Sequence, residues 1–167
     1  MNSGIMDIVY RRATNHDRPV VHRLIDAALR EYGLHLLLDT SDVDLNDIEA
    51  EYDARGGRFE LIEDADGTML GVLAWRPGGA GVVELKKLYL APAARGRGLG
   101  RRALARVVDA ARADGAHAIV LETAEVLAEA NRLYAQSGFV RVQGAAAATF
   151  ATLSDQCDLA YRLDLTS

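Results

Sequence analysis

The sequence is poor in residues that fix a structure covalently or sharply. Of its 167 residues one is cysteine, Cys157, three are proline, and only 6% are aromatic. A single cysteine cannot close a disulfide within the chain, which excludes a disulfide-stapled scaffold and suits a reducing compartment, so a cytoplasmic location is expected. No apolar run approaches the roughly 20 residues that a membrane-spanning helix needs. Residues 1–7 have neither the basic nor the apolar segment that marks a chain for export. An excess of positive charge is missing too. The 19 Lys and Arg against 24 Asp and Glu leave a net charge of -5, which argues against a nucleic-acid partner. His16, His22, His35 and His117 are scattered, and no spacing among them and the acids suggests a ligand set, so no metal is expected. What is left, 50% hydrophobic and 26% charged residues, is the composition of a soluble globular protein, and the length suits one domain over 1–167 with a single core.

Periodicity divides the chain into short elements. Residues 8–13 read as a strand. Thr14 with Asp17 three residues on is a capping box, Pro19 sits in the first turn, and Val20, Val21, Leu24, Ile25, Ala28, Leu29 and Tyr32 recur at helical spacing up to Gly33. A second capped helix is expected from Ser41 with Asp44, with Leu45, Ile48 and Tyr52 on one face before Gly56-Gly57. Residues 58–64 and 68–75 read as a hairpin around Asp64-Ala65-Asp66-Gly67, and residues 76–81 turn into a third strand, 82–90. A helix lined by Leu99, Leu104, Val107, Val108 and Ala111 follows, then a buried strand at 117–123 and a helix at 126–136 closed by Gly138. Residues 139–142 and 155–165 read as closing strands; in the second, Cys157 alternates with Leu159, Tyr161 and Leu163 and reads as packing. Residues 144–152, with four consecutive alanines, are read as a loop. The order β-α-α-β-β-β-α-β-α-β-β is a mixed α/β arrangement.

The most informative stretch is Glu84 to Gly100. An apolar strand passes through a turn at Pro92 into three alternate glycines, Gly96, Gly98 and Gly100, that open a helix. The first N–H groups of a helix lack intrahelical partners and carry the positive end of its dipole, and missing side chains let an anion come close. A phosphate site is therefore expected, with Arg95, Arg97, Arg101, Arg102 and Arg106 gathering positive charge around it. Two common phosphate loops do not fit. In a G-x-G-x-x-G fingerprint the third glycine position falls on Arg101, and no Gly-Lys-Ser/Thr ending follows.

The pattern R-x-x-G-x-G, with Arg95, Gly98 and Gly100 in register, resembles the pyrophosphate loop of the GNAT superfamily of acyl-CoA-dependent N-acetyltransferases. A second block of that family, an Asn followed by an aromatic residue and Gly-Phe, is matched by Asn131, Tyr134, Gly138 and Phe139. The order of elements is that of the GNAT fold over residues 8–165. The resemblance implies transfer of an acetyl group from acetyl-CoA to a primary amine of a small molecule or peptide, by direct attack in a ternary complex. It implies that the backbone of Arg95, Gly96, Arg97, Gly98, Leu99 and Gly100 holds the pyrophosphate. The strand Leu88-Tyr89-Leu90 would meet the pantetheine arm through main-chain groups of Leu88 and Leu90, and Asn131 would bond the same arm. In the family this strand splays from the one at 117–123, and the thioester enters the gap. A homodimer is compatible with it.

Acetyl transfer to an amine needs an acceptor for the amine's proton and a donor for the departing thiolate. Tyr134 matches the family's general acid, and its alternative is a core tyrosine at helical spacing from Leu127 and Ala130. Glu84 falls where acidic residues of related enzymes act as base or hold a water, and its alternative is an ion pair with Lys86 or Lys87. The N–H of Leu88 could meet charge on the acyl oxygen. Acceptor specificity would come from the first helix pair, here Glu31, Tyr32, His35 and Asp39, which would favour a cationic amine. A non-catalytic acyl-CoA-binding module is the other reading; it would keep the loop and have no need of Tyr134 or Glu84.

Overall fold

Apolar residues alternate along the strands, so both faces of the sheet must be covered. In β2 (Arg58–Glu63) Ile62 packs to one side while Phe59 and Leu61 pack to the other; in β3 (Met69–Gly79) Leu73 and Trp75 go one way, Val72 and Ala74 the other. The computed structural model describes residues 7–143 and 157–165. It contains a seven-stranded sheet completed by β1 (Val9–Arg12), β4 (Val82–Leu90), β5 (Ala118–Thr123), β6 (Val140–Val142) and β7 (Leu159–Asp164), in the order β1-β2-β3-β4-β5-β7-β6. Every neighbouring pair is antiparallel except β4 and β5. Helices α1 (Arg18–Arg30) and α2 (Ile48–Glu51) cover one face, and α3 (Leu99–Ala113) and α4 (Ala128–Gln136) the other. This is the mixed α/β order expected. The expected loop at 144–152 lies outside the described residues, and no described helix is long and apolar enough to cross a membrane.

The capping box is present at the start of the first helix. The Thr14 N–H donates to the Asp17 carboxylate at 2.8 Å, and a short 3-10 turn leads into α1. The second expected helix is broken instead into a 3-10 turn at Val43–Asn46, the single turn of α2, and a 3-10 turn at Asp53–Arg55. Ser41 caps none of these. Asp47 is the residue whose carboxylate accepts a cap bond, from the Ala50 N–H at 3.1 Å, while Asp44 points inward. Leu45, Ile48 and Tyr52 are nonetheless buried together, as their spacing requires. Strand β3 also runs further than expected, through Pro77 to Gly79, because a register shift there removes the ladder bond that proline cannot donate. The turn shrinks to Ala80-Gly81, both at positive φ, the geometry of a tight hairpin.

Strand β4 matches its expected bounds but carries a bulge. Ala74 pairs with Lys87 and Trp75 with Leu85, so Lys86 is an extra residue. The bulge moves the alternation by one: Val83 and Leu85 pack toward α3 before it, Leu88 and Leu90 after it, and Lys87 and Tyr89 turn to the side of α1 and α2. Lys87, only 5% exposed, then needs counter-charge. It donates to Asp42 at 2.7 Å and lies 3.8 Å from Asp44, whose carboxylate also accepts a short hydrogen bond from the Tyr52 hydroxyl. Burial raises the Asp44 carboxyl, but the Lys87 charge and the Tyr52 bond outweigh it and hold the group below its ordinary value of 3.8.

Breaking a buried pair from one side leaves its partner charged and unpaired, which costs about 3–5 kcal/mol. Lys87→Met should therefore lower stability by roughly that amount at pH 7, measured by urea unfolding followed by circular dichroism. A carboxyl depressed in the folded state adds stability above its unfolded value and loses it as the pH falls through the folded one. The deficit of Lys87→Met should accordingly narrow as the pH falls below about 4.

Candidate functional site

Parallel strands β4 and β5 pair over three residues only: Val82 with Ala118, Val83 with Ile119 and Glu84 with Val120. Beyond Glu84 they part, and the gap deepens into a cleft of about 270 Å³ lined on one side by β4 from Glu84 to Leu90 and on the other by Leu121, Thr123 and Ala124. The Ala91 N–H donates to Leu70 O on β3 at 2.8 Å, so by strand alternation Leu88 and Leu90 turn their main-chain groups away from β3, into the gap. One of these groups is already engaged. Leu90 O accepts from Arg95 Nε at 3.2 Å and Nη2 at 3.1 Å.

At the far end of β4 the glycine loop reaches α3. Gly98 is the N-cap residue at φ 76°, and Gly96 has the same φ; a side chain on either would point into open space. The cap supplies no side-chain acceptor, so the first N–H groups of α3 are left for another partner. Gly100 lines the cleft and has a packing role beside the one expected. Its φ is ordinary, and a Cβ there would lie 2.9 Å from Leu133 Cδ2, so this glycine allows close contact between α3 and α4. Arg95 lines the cleft, but its guanidinium is engaged within the protein. Its two terminal nitrogens hold Glu31 at 2.9 and 2.6 Å, bracing the loop against the end of α1.

Tyr134 is 6% exposed on α4 and lines the cleft. Its ring packs 5.9 Å from those of Phe139 and Tyr161, and burial pushes its phenol above the ordinary value of 10, so the proton stays on oxygen at neutral pH. The helix end beside it is sharp. Phe139 N–H donates to Tyr134 O at 3.0 Å and Gly138 N–H to Ala135 O at 3.2 Å, with Gly138 at φ 92°, a Schellman motif that fixes both aromatic residues. Asn131 stands back from the cleft. Its amide nitrogen ties down the turn after β5, donating to Ala124 O at 3.0 Å and Glu125 O at 3.2 Å, while its Oδ1 is buried with no partner among the described residues.

Glu84 sits at the last paired position of β4, at the cleft wall, with its carboxylate 3.4 Å from Lys86 Nζ. The cleft thus brings together Glu84, Tyr134, Leu88, Tyr89, Leu90 and residues of the glycine loop. Of the expected acceptor residues it includes Tyr32 but not Glu31, His35 or Asp39; Glu31 is committed to Arg95 with both oxygens. Arg97 is exposed outside it. Sequence reasoning missed Ser41, Asp42, Lys86 and Lys87 in the cleft wall. The signal was two adjacent lysines within an apolar strand, which demand buried carboxylates nearby. It also misplaced Cys157, which precedes β7, is half-buried and lines the cleft.

Comparison with known proteins gives the same picture. The family model described as acetyltransferase (GNAT) family matches residues 21–139. The Escherichia coli (strain K12) protein YjgM, described as an uncharacterized N-acetyltransferase, is 31% identical over 146 residues, which are 84% of this chain and 87% of that one. A GNAT-family acetyltransferase of Staphylococcus aureus superposes with a TM-score of 0.87 at 20% identity, covering 95% of this chain and 99% of the other. A Salmonella typhimurium protein solved with its cofactor acetyl-CoA superposes with a TM-score of 0.68 at 23% identity, covering 96% and 95%.

The two kinds of glycine can be told apart by substitution. Gly98→Ala forces an L-residue into the left-handed region and should cost about 1–2 kcal/mol. Gly100→Ala has ordinary backbone and gains about 1 kcal/mol of helix propensity against the shift of one leucine methyl, so its net effect should stay within about 1 kcal/mol. Urea midpoints of the two variants check the contrast.

Proposed function

Because the chain belongs to the acetyltransferase (GNAT) family, we propose that it moves an acetyl group from acetyl-CoA to a primary amine of a small molecule or peptide, with both substrates bound in one ternary complex. The observation that carries this reading is the gap between β4 and β5, which ends at an uncapped helix N-terminus. The residues present fit acetyl-CoA. Backbone N–H groups from Gly96 to Gly100 receive the pyrophosphate, and Gly96 and Gly98 leave room for it. The C=O of Leu88 and the N–H of Leu90 pair with the amides of the pantetheine arm, which takes the place of a strand. Asn131 acts on that arm by holding the turn at Ala124 and Glu125 in position.

Acetyl-CoA supplies the acyl group as a thioester, and the side chains supply the proton movements. Glu84 takes the proton that the amine gives up as its nitrogen bonds to the acyl carbon. Tyr134 gives its phenolic proton to the sulfur as the carbon–sulfur bond breaks, and the Leu88 N–H faces the acyl oxygen. The position of Tyr134 in the cleft wall supports the acid role, and its phenol carries the proton that the sulfur needs.

Tyr134→Phe removes only the hydroxyl. Acetyl-CoA affinity by calorimetry should change little, whereas kcat for thiol release with an accepted amine should fall roughly 10²- to 10⁴-fold. A parent rate in this variant, with chemistry rate-limiting, would assign the tyrosine to packing. Glu84→Gln should lower kcat/KM with a loss that shrinks at high pH, where more of the amine is already neutral. A loss independent of pH would leave Glu84 a structural ion-pair partner of Lys86.

A further inference from the structure

We infer that the acceptor subsite of the cleft is built for a zwitterion, an α-amino acid or close analogue whose ammonium group faces Glu84 and whose carboxylate faces Lys86; this rests on the acetyltransferase reading above. The bulge in β4 makes the arrangement possible. In a regular strand residues 84 and 86 point the same way and 87 the other; the extra residue brings Lys87 round to Asp42, so that the carboxylates of that side are taken by Lys87 while Lys86 stays beside Glu84 in the cleft wall. Lys86 Nζ and Glu84 Oε1 are 3.4 Å apart, and each side chain is 14% exposed, so both ends of the pair are reachable from the cleft.

A partly buried ion pair that opens on a cleft presents a positive and a negative end side by side. An α-amino acid carries the same two charges at the same scale of separation. Laid antiparallel on the pair, it places each of the four charges next to opposite ones without breaking the existing contact. The cleft's other cations are committed: Lys87 is held by Asp42 and Asp44, and Arg95 by Glu31 and Leu90 O. Lys86 is therefore the cation that a ligand carboxylate meets. Ser41 lines the same cleft, and its hydroxyl oxygen is buried with no partner among the described residues, a polar atom that a small polar ligand can satisfy. Apolar residues Ala28, Leu29, Tyr32 and Leu34 line the remainder of that wall and suit a side chain. A diamine would instead bring its second ammonium toward Lys86, and a simple monoamine would leave Lys86 without a second partner.

The test is thiol release from acetyl-CoA with matched triples: L-alanine, L-leucine and L-phenylalanine, each beside its carboxamide and its decarboxylated amine. At least one amino acid should exceed both of its analogues by about tenfold in kcat/KM, with the difference mainly in KM, because a site built for a charged group rejects the analogue that lacks it. The carboxamides have less basic amines, so reactivity alone would favour them, and a preference for the acid therefore reports on the subsite. Lys86→Met should bring the acid-to-amide ratio toward one, and Lys86→Arg should keep it. Amides or amines accepted as well as the acids in every triple, or a ratio that survives Lys86→Met, would overturn the zwitterion subsite. So would a preparation that acetylates polyamines or aminoglycosides but none of the triples, and acetyl transfer itself would then stand. Thiol release with no amine of any class would defeat the acetyltransferase reading from which the inference starts.

Discussion

The parting of β4 from β5 is the constraint on which the site depends. Two parallel strands that stayed in register would satisfy each other's backbone and leave no cleft; here pairing stops after Glu84 and Val120, and the main-chain groups of Leu88 and Leu90 face a cavity. Main-chain groups without partners are costly when buried, so a divergence of this kind has to be held open by other contacts. On one side the bulge at Lys86 bends β4, and Lys87 anchors it to Asp42 and Asp44 of the segment between α1 and α2. On the other, Asn131 secures the turn that follows β5. At the open end Arg95 joins the end of β4 to α1 through Leu90 O and Glu31.

These supports also explain where the polar residues of the cleft come from. Lys87 lies in an otherwise apolar strand and is stable as a cation only because two carboxylates approach it from a segment with little regular structure. That segment gives up a continuous helix in return. Asp44 faces inward to Tyr52 and Lys87 rather than capping a helix, and Asp47 takes the cap. The wall of the cleft and the fold of residues 37–52 are thus one electrostatic unit, closed by the Leu37 N–H, which donates to Asp42 at 2.9 Å.

Most of the fold was legible because it rests on local signals. The alternation in β2 to β4, the glycines before α3, and the Asn131–Phe139 block each identify an element within a few residues of its position. Glu84, Tyr134, Leu88 and Gly98, which the resemblance to the GNAT superfamily singles out, line one cleft. What was not legible depends on contacts distant in sequence. Glu31 reads as a free carboxylate at a helix end until Arg95, 64 residues away, is brought against it. That Gly100 also serves the contact with Leu133 on α4 shows only once the two helices are brought together. The bulge at Lys86 leaves no mark in composition, because Lys86 and Lys87 differ only in which way the backbone turns them. Asn131 and Cys157 exchanged the places expected of them for the same reason: the turn after β5 and the approach to β7 are set by tertiary packing.

The hairpin, the loop and the supports leave a sheet whose middle is half paired, and this has a thermodynamic consequence. Whatever fills the gap along β4 is energetically an eighth strand, present only in the folded chain. Its binding is then linked to folding by mass action, adding about 2.7 kcal/mol at a free concentration one hundred times its dissociation constant. For a chain of ordinary marginal stability, a gain of this size is a large share of the total. The lifetime of the folded protein in a cell would thus follow the abundance of the compound that occupies its cleft.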